Sequence, residues 1–438
     1  MTRVENVAPE FSFARGIARA TWSDPAVELT FDLLRLDRRA GELSAEVTVL
    51  SLVGRRDRDP DEPAQDGMAN GSADLLHRAR LNLGSTRARA DFTNHLAKRL
   101  AGPDWPGLVE SAAWKVIEAY RQGAPAFLLK DAQEPAAAGW GIEGLNLARD
   151  PVIKFGDGGS LKSYSGLADA VSMQSGLPLV DGLAPVRTFR VAYLDFEWNP
   201  WPHHRRLRAL CGPGELPDIL YIPCQTSGPL SHQVERLQRI FQEHRIDYAF
   251  IDSVGLACDG PPEEAQSALG FFQSLSRLEV GSTLIAHTNR EGDTMKPFGS
   301  AYWHNSARMT WYLKRERANG TSAVDVGLYN RKSNDGALRE QPIGLRFEFT
   351  DTTTTLRSID VANVPQLEAQ TLLRDRMART LDGGAKTAVQ LAAELGVPAN
   401  SIAKTATRWE GRYFVKVTET PDGVHRIGLA APDRTPVQ

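Results

Sequence analysis

The sequence has few cysteines, no long apolar run and little net charge. Its three cysteines, Cys211, Cys224 and Cys258, are widely spaced and form no CxxC pair, so a disulfide framework or a cysteine zinc site is not expected. No apolar stretch reaches the roughly 18 residues that a membrane-spanning helix needs. A formal net charge of −3 argues against binding nucleic acid through overall basicity, but it allows a local basic patch.

The bulk composition is that of a globular protein. Hydrophobic residues make up 42% and charged residues 24% of the 438-residue chain, enough for an ordinary core in about three domains. Residues 1–20 carry charged side chains among the apolar ones, and they contain no signal-peptide core. We therefore expect a soluble cytoplasmic protein that is not attached to a membrane.

Composition and periodicity divide the chain into five segments. Alternating apolar and polar residues predict an N-terminal β-rich domain over 1–53. A stretch rich in Pro, Asp and Gly predicts a flexible linker over 54–73, and a helical adaptor is predicted over 74–149. Between 150 and 360, short apolar runs alternate with helical patterns, which predicts an α/β core with a mostly parallel sheet. The fifth segment is 361–438.

This last segment has the pattern of a winged-helix domain. A helix is predicted over 367–381, two shorter helices around the turn at 396–398, and then a β-hairpin. Five residues of the second short helix could face DNA, although an interface with protein is the alternative interpretation. They are Ser401, Lys404, Thr405, Thr407 and Arg408.

A glycine-rich segment between a predicted strand and a predicted helix has the features of a phosphate-binding loop. Glycines let backbone N–H groups turn towards a phosphate, and the following helix points its positive end at the anion. Lys162 would then reach the β- and γ-phosphates of ATP, and Ser163 would hold Mg²⁺. Leu161 departs from the motif, which has glycine there, so a glycine-rich turn before a surface lysine is the alternative. The segment reads Gly156, Asp157, Gly158, Gly159, Ser160, Leu161, Lys162, Ser163 and Tyr164.

A second motif lies about 90 residues further on, where an apolar strand ends at Asp252. A P-loop ATPase needs an aspartate at such a strand end to hold Mg²⁺. By itself Asp252 could equally be a helix cap, but together with the glycine-rich loop it indicates a nucleotide site.

With two further segments, the chain resembles the RepA-type hexameric helicases, which are RecA-fold ATPases often described as AAA family ATPases. The resemblance covers roughly residues 150–350. In one further segment, a predicted strand ends in Glu197 and is followed by a turn with Pro200 and a helix with Arg206 and Leu207. The other segment begins at 284 and includes His287.

The resemblance implies roles for these residues. Glu197 would polarise the attacking water, although Asp195, two residues before it, could exchange roles with it. His287 would sense the γ-phosphate and couple it to the loop 292–298, which would face single-stranded DNA; a buried core histidine is the alternative. Arg331 or Lys332 would be a cationic finger that reaches the neighbouring subunit's nucleotide, and the alternative is a solvated hairpin.

The expected protein is thus a RecA-type ATPase that hydrolyses ATP with Mg²⁺. It would form a homo-oligomer, such as a hexameric ring, and act on single-stranded DNA as a helicase, a translocase or a replication or repair loader. The alternative is a nucleotide-switched DNA-binding or assembly protein with little turnover, for example of a mobile element or a defence system.

Overall fold

A computed structural model describes most of the chain as two compact units, Met1–Glu134 and Pro135–Gln438. The predicted linker over 54–73 and most of the loop 292–298 lie outside the described residues. None of the described helices is long and apolar enough to cross a membrane. The described residues are 8–14, 16–37, 40–52, 74–123, 126–131, 139–197, 199–288, 296–317, 322–334, 339, 341–417 and 425–430.

The first unit has five antiparallel strands in sequential order and two helices that cover one face of the sheet. Buried and less buried residues alternate along the strands, as expected for a sheet with one face on a core. The elements are β1 (Glu10–Ala14), β2 (Ile17–Ser23), β3 (Ala26–Asp37), β4 (Glu42–Ser51), β5 (Asp74–Asn82), α1 (Thr86–Arg99) and α2 (Trp105–Gln122), with a short 3-10 helix at Leu129–Asp131.

Strand β5 departs from the sequence prediction, which placed 74–149 in a helical adaptor. Residues Asp74–Asn82 pair antiparallel with β4, and Arg78 forms an ion pair with Glu46 across the two strands. The predicted linker separates β5 from β4 in the sequence, so only long-range pairing completes the sheet. The remainder of the predicted adaptor does contain α1 and α2.

The second unit is built on a nine-stranded sheet in the order β10-β9-β11-β12-β8-β13-β14-β15-β16. Neighbouring strands from β10 to β13 run parallel, and β14 to β16 are added antiparallel. The elements are β6 (Trp140–Ile142), β7 (Asn146–Leu147), β8 (Pro151–Gly156), α3 (Lys162–Ser175), β9 (Val191–Asp195), α4 (Pro200–Cys211), β10 (Leu220–Pro223), α5 (Leu230–Glu243), β11 (Tyr248–Asp252), α6 (Val254–Ala257), α7 (Ala265–Ser276), β12 (Gly281–His287), α8 (Ala301–Ser306), β13 (Met309–Arg317), β14 (Ala323–Ser333), β15 (Ile343–Phe349) and β16 (Thr354–Ile359).

Two apolar cores lie against this sheet. Strands β9 and β11 are buried along their whole length, which is typical of parallel strands covered by helices on both faces. Helix α5 contributes Leu230, Val234, Leu237 and Phe241, which recur at helical spacing and are all buried. The predicted α/β class with a RecA-like, mostly parallel core is confirmed.

The chain continues after the sheet with short helices and a two-stranded hairpin. A 3-10 helix at Val361–Asn363 precedes α9 (Pro365–Glu368), α10 (Leu373–Leu381), α11 (Ala388–Leu395), α12 (Ala399–Arg408), β17 (Phe414–Val417) and β18 (Arg426–Leu429). These elements enclose a small core that includes Met377, Leu391, Ile402 and Phe414. Their order is the one predicted for a winged helix, and that assignment stays a prediction.

The single helix predicted over 367–381 is divided between α9 and α10. The carbonyl groups of Leu367 and Gln370 accept hydrogen bonds from the side chains of Tyr329 and Arg331 on β14. These tertiary contacts fix the interruption, and no local sequence signal marks it.

Candidate active site

The predicted site residues meet at the carboxyl ends of neighbouring parallel strands. In the strand register Gly156 of β8 lies opposite His287 of β12, and Asp252 of β11 lies opposite Asp195 of β9. Ligands of open α/β sheets bind at this edge. The register therefore brings together residues that are up to 131 positions apart in the sequence.

The glycine-rich loop connects β8 to α3 in a conformation that depends on glycine. A Cβ on Gly156 would lie 2.4 Å from the carbonyl oxygen of Leu313, and Gly159 has a φ of +74°. Leu161 has φ 62° and ψ 24° at the start of α3, which is the left-handed region that glycine ordinarily occupies. Despite its leucine, the loop thus has the turn for which the motif uses glycine.

No side chain caps the N-terminus of α3. The free N–H groups of a first helical turn and the helix dipole favour an anion. A buried ion pair between Lys154 on β8 and Asp169 on α3 holds the helix against the strand. This ion pair fixes α3 relative to β8 and therefore to the loop that connects them.

Lys162 lies inside this loop. Its Nζ donates hydrogen bonds to the carbonyl oxygens of Gly156 at 2.9 Å and Asp157 at 2.8 Å. Burial lowers the pKa of Lys162, and the nearby carboxylates of Asp252, Glu197 and Asp157 oppose that shift. The lysine is therefore an inward-facing residue of the loop, which excludes the surface-lysine alternative.

Asp252 ends β11 almost completely buried beside the loop. Its Oδ2 accepts a hydrogen bond of 2.8 Å from the hydroxyl of Tyr193. Burial raises the pKa of Asp252, while hydrogen bonds from Ser163 and Tyr193 lower it. Ser163 and Asp252, the predicted metal pair, line the same cavity.

Glu197 and Asp195 have different surroundings. Glu197 lies on the cavity with its side chain 41% exposed. Asp195 is fully buried, and its carboxylate accepts hydrogen bonds from the Glu197 N–H and the Tyr221 hydroxyl, both at 2.8 Å. It also lies 3.2 Å from Nε2 of His203. Asp195 therefore holds the backbone that carries Glu197, and Glu197 is the carboxylate available to a ligand.

His287 stands at the edge of the cavity, and its side chain is 54% exposed. Its Nε2 lies 4.0 Å from Oε1 of Glu197, and its carbonyl accepts a hydrogen bond from the N–H of Phe298. A core histidine, the alternative interpretation, is excluded by this exposure. Through Phe298 the residue also contacts the end of the loop 292–298.

The cavity between these residues has a volume of about 220 Å³. Two residues of the site, Arg206 and Tyr193, had no predicted role; Tyr193 is not in the cavity lining but donates a hydrogen bond to Asp252. Arg206 lines the cavity from α4, with its guanidinium 5.6 Å from the ring of Tyr164. A signal for Arg206 was present, because it lies in a segment of the family resemblance, whereas Tyr193 is a strand residue with no such signal. The lining residues are Gly159, Ser160, Leu161, Lys162, Ser163, Tyr164, Glu197, Arg206, Asp252, Ile285 and His287.

Arg331 and Lys332 do not line this cavity. The Nζ of Lys332 donates to the carbonyl oxygens of His304, Asn305 and Ala307 at the end of α8. Arg331 donates to the carbonyl of Gln370, and its guanidinium lies over the ring of Tyr329 on its own strand. Both therefore have partners within the subunit, and the finger assignment stays a prediction.

Two buried oxygen atoms of the site are suited to bind a phosphate ligand and its metal ion. Within the described part of the chain, Oγ of Ser160 and Oδ1 of Asp252 have no hydrogen-bond partner, although buried polar atoms rarely lack one. No group of three His, Cys, Asp or Glu side chains that could hold a metal occurs among the described residues. The carboxylate of Asp252 and the hydroxyl of Ser163 suit Mg²⁺, because water and substrate phosphates commonly complete the coordination of this ion.

One family model matches the part of the chain that forms this site. Residues 121–293 match the family model described as an AAA domain, a range that is less than half of the chain but includes every residue from the phosphate loop to His287. No curated protein matches the chain.

Many solved structures match. One is a KaiC-like protein from the hyperthermophilic archaeon Pyrococcus horikoshii OT3, at 14% sequence identity and a TM-score of 0.36, over 49% of this chain and 93% of that one. Residues 121–293 are therefore similar to an AAA domain, and the sheet that they contribute to has a RecA-like order of mostly parallel strands.

Proposed function

We propose that this chain binds ATP in the 220 Å³ cavity and hydrolyses it to ADP and phosphate. The observation that carries the proposal is the convergence of Lys162, Ser163, Asp252, Glu197 and His287 on one cavity. These side chains provide a cation for the phosphates, an oxygen pair for a metal and a carboxylate for a water molecule, as phosphoryl transfer requires.

The phosphate loop would bind the nucleotide before any chemistry takes place. Backbone N–H groups of the first turn of α3 would bind phosphate oxygens, and Lys162 would exchange its two carbonyl partners for phosphate oxygens. Ser163 and Asp252 would hold Mg²⁺, which when bound neutralises charge on the β- and γ-phosphates. Arg206 would add a second cation to the cavity lining.

Glu197 would orient the attacking water and accept its proton. Its carboxylate is partly exposed in the cavity, and its backbone N–H is fixed by buried Asp195. A base of this kind contributes about 10²- to 10⁴-fold to a rate. His287, 4.0 Å from Glu197, would respond to the γ-phosphate and pass that state on through Phe298.

The finer proposal is an oligomeric ring, such as a hexamer, that acts on single-stranded DNA as a helicase, a translocase or a loader. The sequence resemblance supports it, and so does the link from His287 to the loop 292–298. In such a ring Arg331 or Lys332 would leave its present partners to reach the neighbouring nucleotide. The protein would then work in the cytoplasm.

A second candidate function is a nucleotide-controlled switch that binds DNA or assembles with little turnover, for example in a mobile element or a defence system. The presence of Leu161 favours this candidate. At a position where the motif has glycine, it places a side chain in the cavity wall.

Steady-state ATP hydrolysis with and without single-stranded DNA separates the two candidates. We expect wild-type turnover to rise when the DNA is added. We expect Lys162→Ala to weaken ATP binding by about tenfold or more, because it removes a charged hydrogen-bond donor. Turnover that DNA leaves unchanged, with ATP-dependent DNA binding, would support the switch. ATP binding by Lys162→Ala as tight as that of wild type would refute the site.

A further inference from the structure

Three arginines converge on two aromatic rings at the end of α12. The guanidinium of Arg374 on α10 lies 4.6 Å from the ring of Trp409 and 4.8 Å from that of Tyr413. Arg408 lies 5.9 Å from Trp409, and Arg412 lies 5.5 Å from it. Cation–π contacts at these distances restrict where the guanidinium groups point.

Two of these arginines project into solvent without a compensating carboxylate. Arg408 and Arg412 are exposed, and neither forms an ion pair among the described residues. Lys404, one helical turn before Arg408, is also exposed. We call Lys404, Arg408, Trp409 and Arg412 the C-terminal cationic surface.

The acidic groups nearby already have partners. Glu410 pairs with Lys416 at 3.1 Å, and Asp375 pairs with Arg374 at 2.8 Å. The C-terminal cationic surface therefore keeps three positive charges in a chain whose formal net charge is −3. Such a local concentration of cations is the electrostatic feature of a polyanion site.

We propose that the C-terminal cationic surface binds the phosphate backbone of duplex DNA. Single-strand sites use free aromatic faces on which bases stack, but here Trp409 and Tyr413 are only partly exposed, and arginines lie over their rings. Held guanidinium groups match the regular phosphates of a duplex, and no base-reading group is required. This inference rests on the proposed action on DNA and adds a second DNA partner to the single strand of the ATPase domain.

The test is the salt dependence of duplex binding, measured by fluorescence anisotropy with a short labelled duplex in two unrelated sequences. Log K falls as log salt rises between about 50 and 200 mM salt, and each lost phosphate contact makes this negative slope shallower by about 0.9. Arg408→Ala/Arg412→Ala should therefore make the slope shallower by about 1.8, with affinity reduced about tenfold or more on both sequences. Arg408→Lys/Arg412→Lys should keep most of the slope.

A matched control removes two paired cations instead. Lys386→Ala/Arg357→Ala changes the net charge by the same amount, but Lys386 pairs with Glu394 and Arg357 with Glu348, so duplex binding should change much less. Each variant is compared with wild type by thermal unfolding. Stimulation of ATP hydrolysis by single-stranded DNA should be the same in Arg408→Ala/Arg412→Ala as in wild type.

Several results would overturn the inference. The first two are duplex binding by Arg408→Ala/Arg412→Ala with wild-type affinity and slope, and an equal loss in the control that removes paired cations. The others are a loss confined to single-stranded DNA, and a change in oligomer size with duplex binding intact. The last result would make the surface a contact between copies of the chain. If wild type binds the duplex through this surface but single-stranded DNA does not stimulate its ATPase, the proposed action on single-stranded DNA fails and this inference stands.

Discussion

Leu161 adopts a backbone conformation that costs an L-residue about 1–2 kcal/mol. Its φ of 62° and ψ of 24° place it in the left-handed region. The side chain packs against the second core of the sheet, which offsets part of the cost. Leu161 therefore forms the same turn as the glycine of the motif, but its backbone is strained.

Replacing Leu161 by glycine and by alanine separates strain from packing. Both substitutions remove the packing, but only glycine removes the strain, so Leu161→Gly should be more stable than Leu161→Ala by about 1 kcal/mol. In ordinary helical conformations alanine is the more stable of the two. Thermal unfolding of the two variants measures the difference, and Leu161→Ala that is as stable as Leu161→Gly would refute the strain. ATP binding by Leu161→Gly should match wild type.

The roles of Asp195 and Glu197 could not be assigned from the sequence alone. Strand alternation would place both side chains on the same face, but β9 ends at Asp195, so the alternation does not continue to Glu197. Asp195 itself is buried, and its partners Tyr221 and His203 come from other elements. The end of β9 and these two tertiary contacts determine which carboxylate faces the cavity. The local sequence pattern predicts none of them.

Among the elements, those with local start and stop signals were predictable. Helix α1 begins after the cap Ser85 and α2 after the cap Asp104, and α11 begins with a capping box at Thr387 and ends at Gly396. These signals act within a few residues. Strand β5 has no such signal, because its pairing partner β4 lies beyond the predicted linker.

Strand β5 gives the first unit a predictable dependence on pH. His77 on β5 lies 4.9 Å from the ring of Phe92 and 5.5 Å from that of His95 on α1. Burial lowers the pKa of His77, and the charges of His95 and Arg99 lower it further. The unfolded chain therefore binds more protons, so this contribution to stability is complete above a pH of about 6.5 and is lost as the pH falls towards the folded pKa.

Replacing His77 by glutamine should weaken that dependence. The variant loses packing at every pH, so the informative quantity is the fall in thermal stability between a pH of about 7.5 and about 5.5, on either side of the ordinary histidine pKa. We expect a smaller fall for His77→Gln than for wild type. His244→Gln, at an exposed histidine, should keep the wild-type fall. The interpretation fails if His77→Gln keeps the full pH dependence.

For the whole molecule, the alternation of strands and helices predicted the class of the fold but not the order of its strands. Crossover rules fix handedness and leave several orders open. The observed sheet places β12 between β11 and β8, and that order puts His287 beside Gly156 and Ile285 beside Asp252. The site residues were therefore identified by motif and resemblance, whereas their contacts required the assembled sheet.

The central claim is that this assembled site hydrolyses ATP with Glu197 as the base. The most direct test compares Glu197→Gln with wild type in the presence of Mg²⁺, measuring ATP affinity and turnover on the same preparations. Glutamine keeps the size of the side chain but cannot accept the proton, so turnover should fall by about 10²- to 10⁴-fold while ATP affinity stays the same. A Glu197→Gln protein that hydrolyses ATP at the wild-type rate would contradict the account.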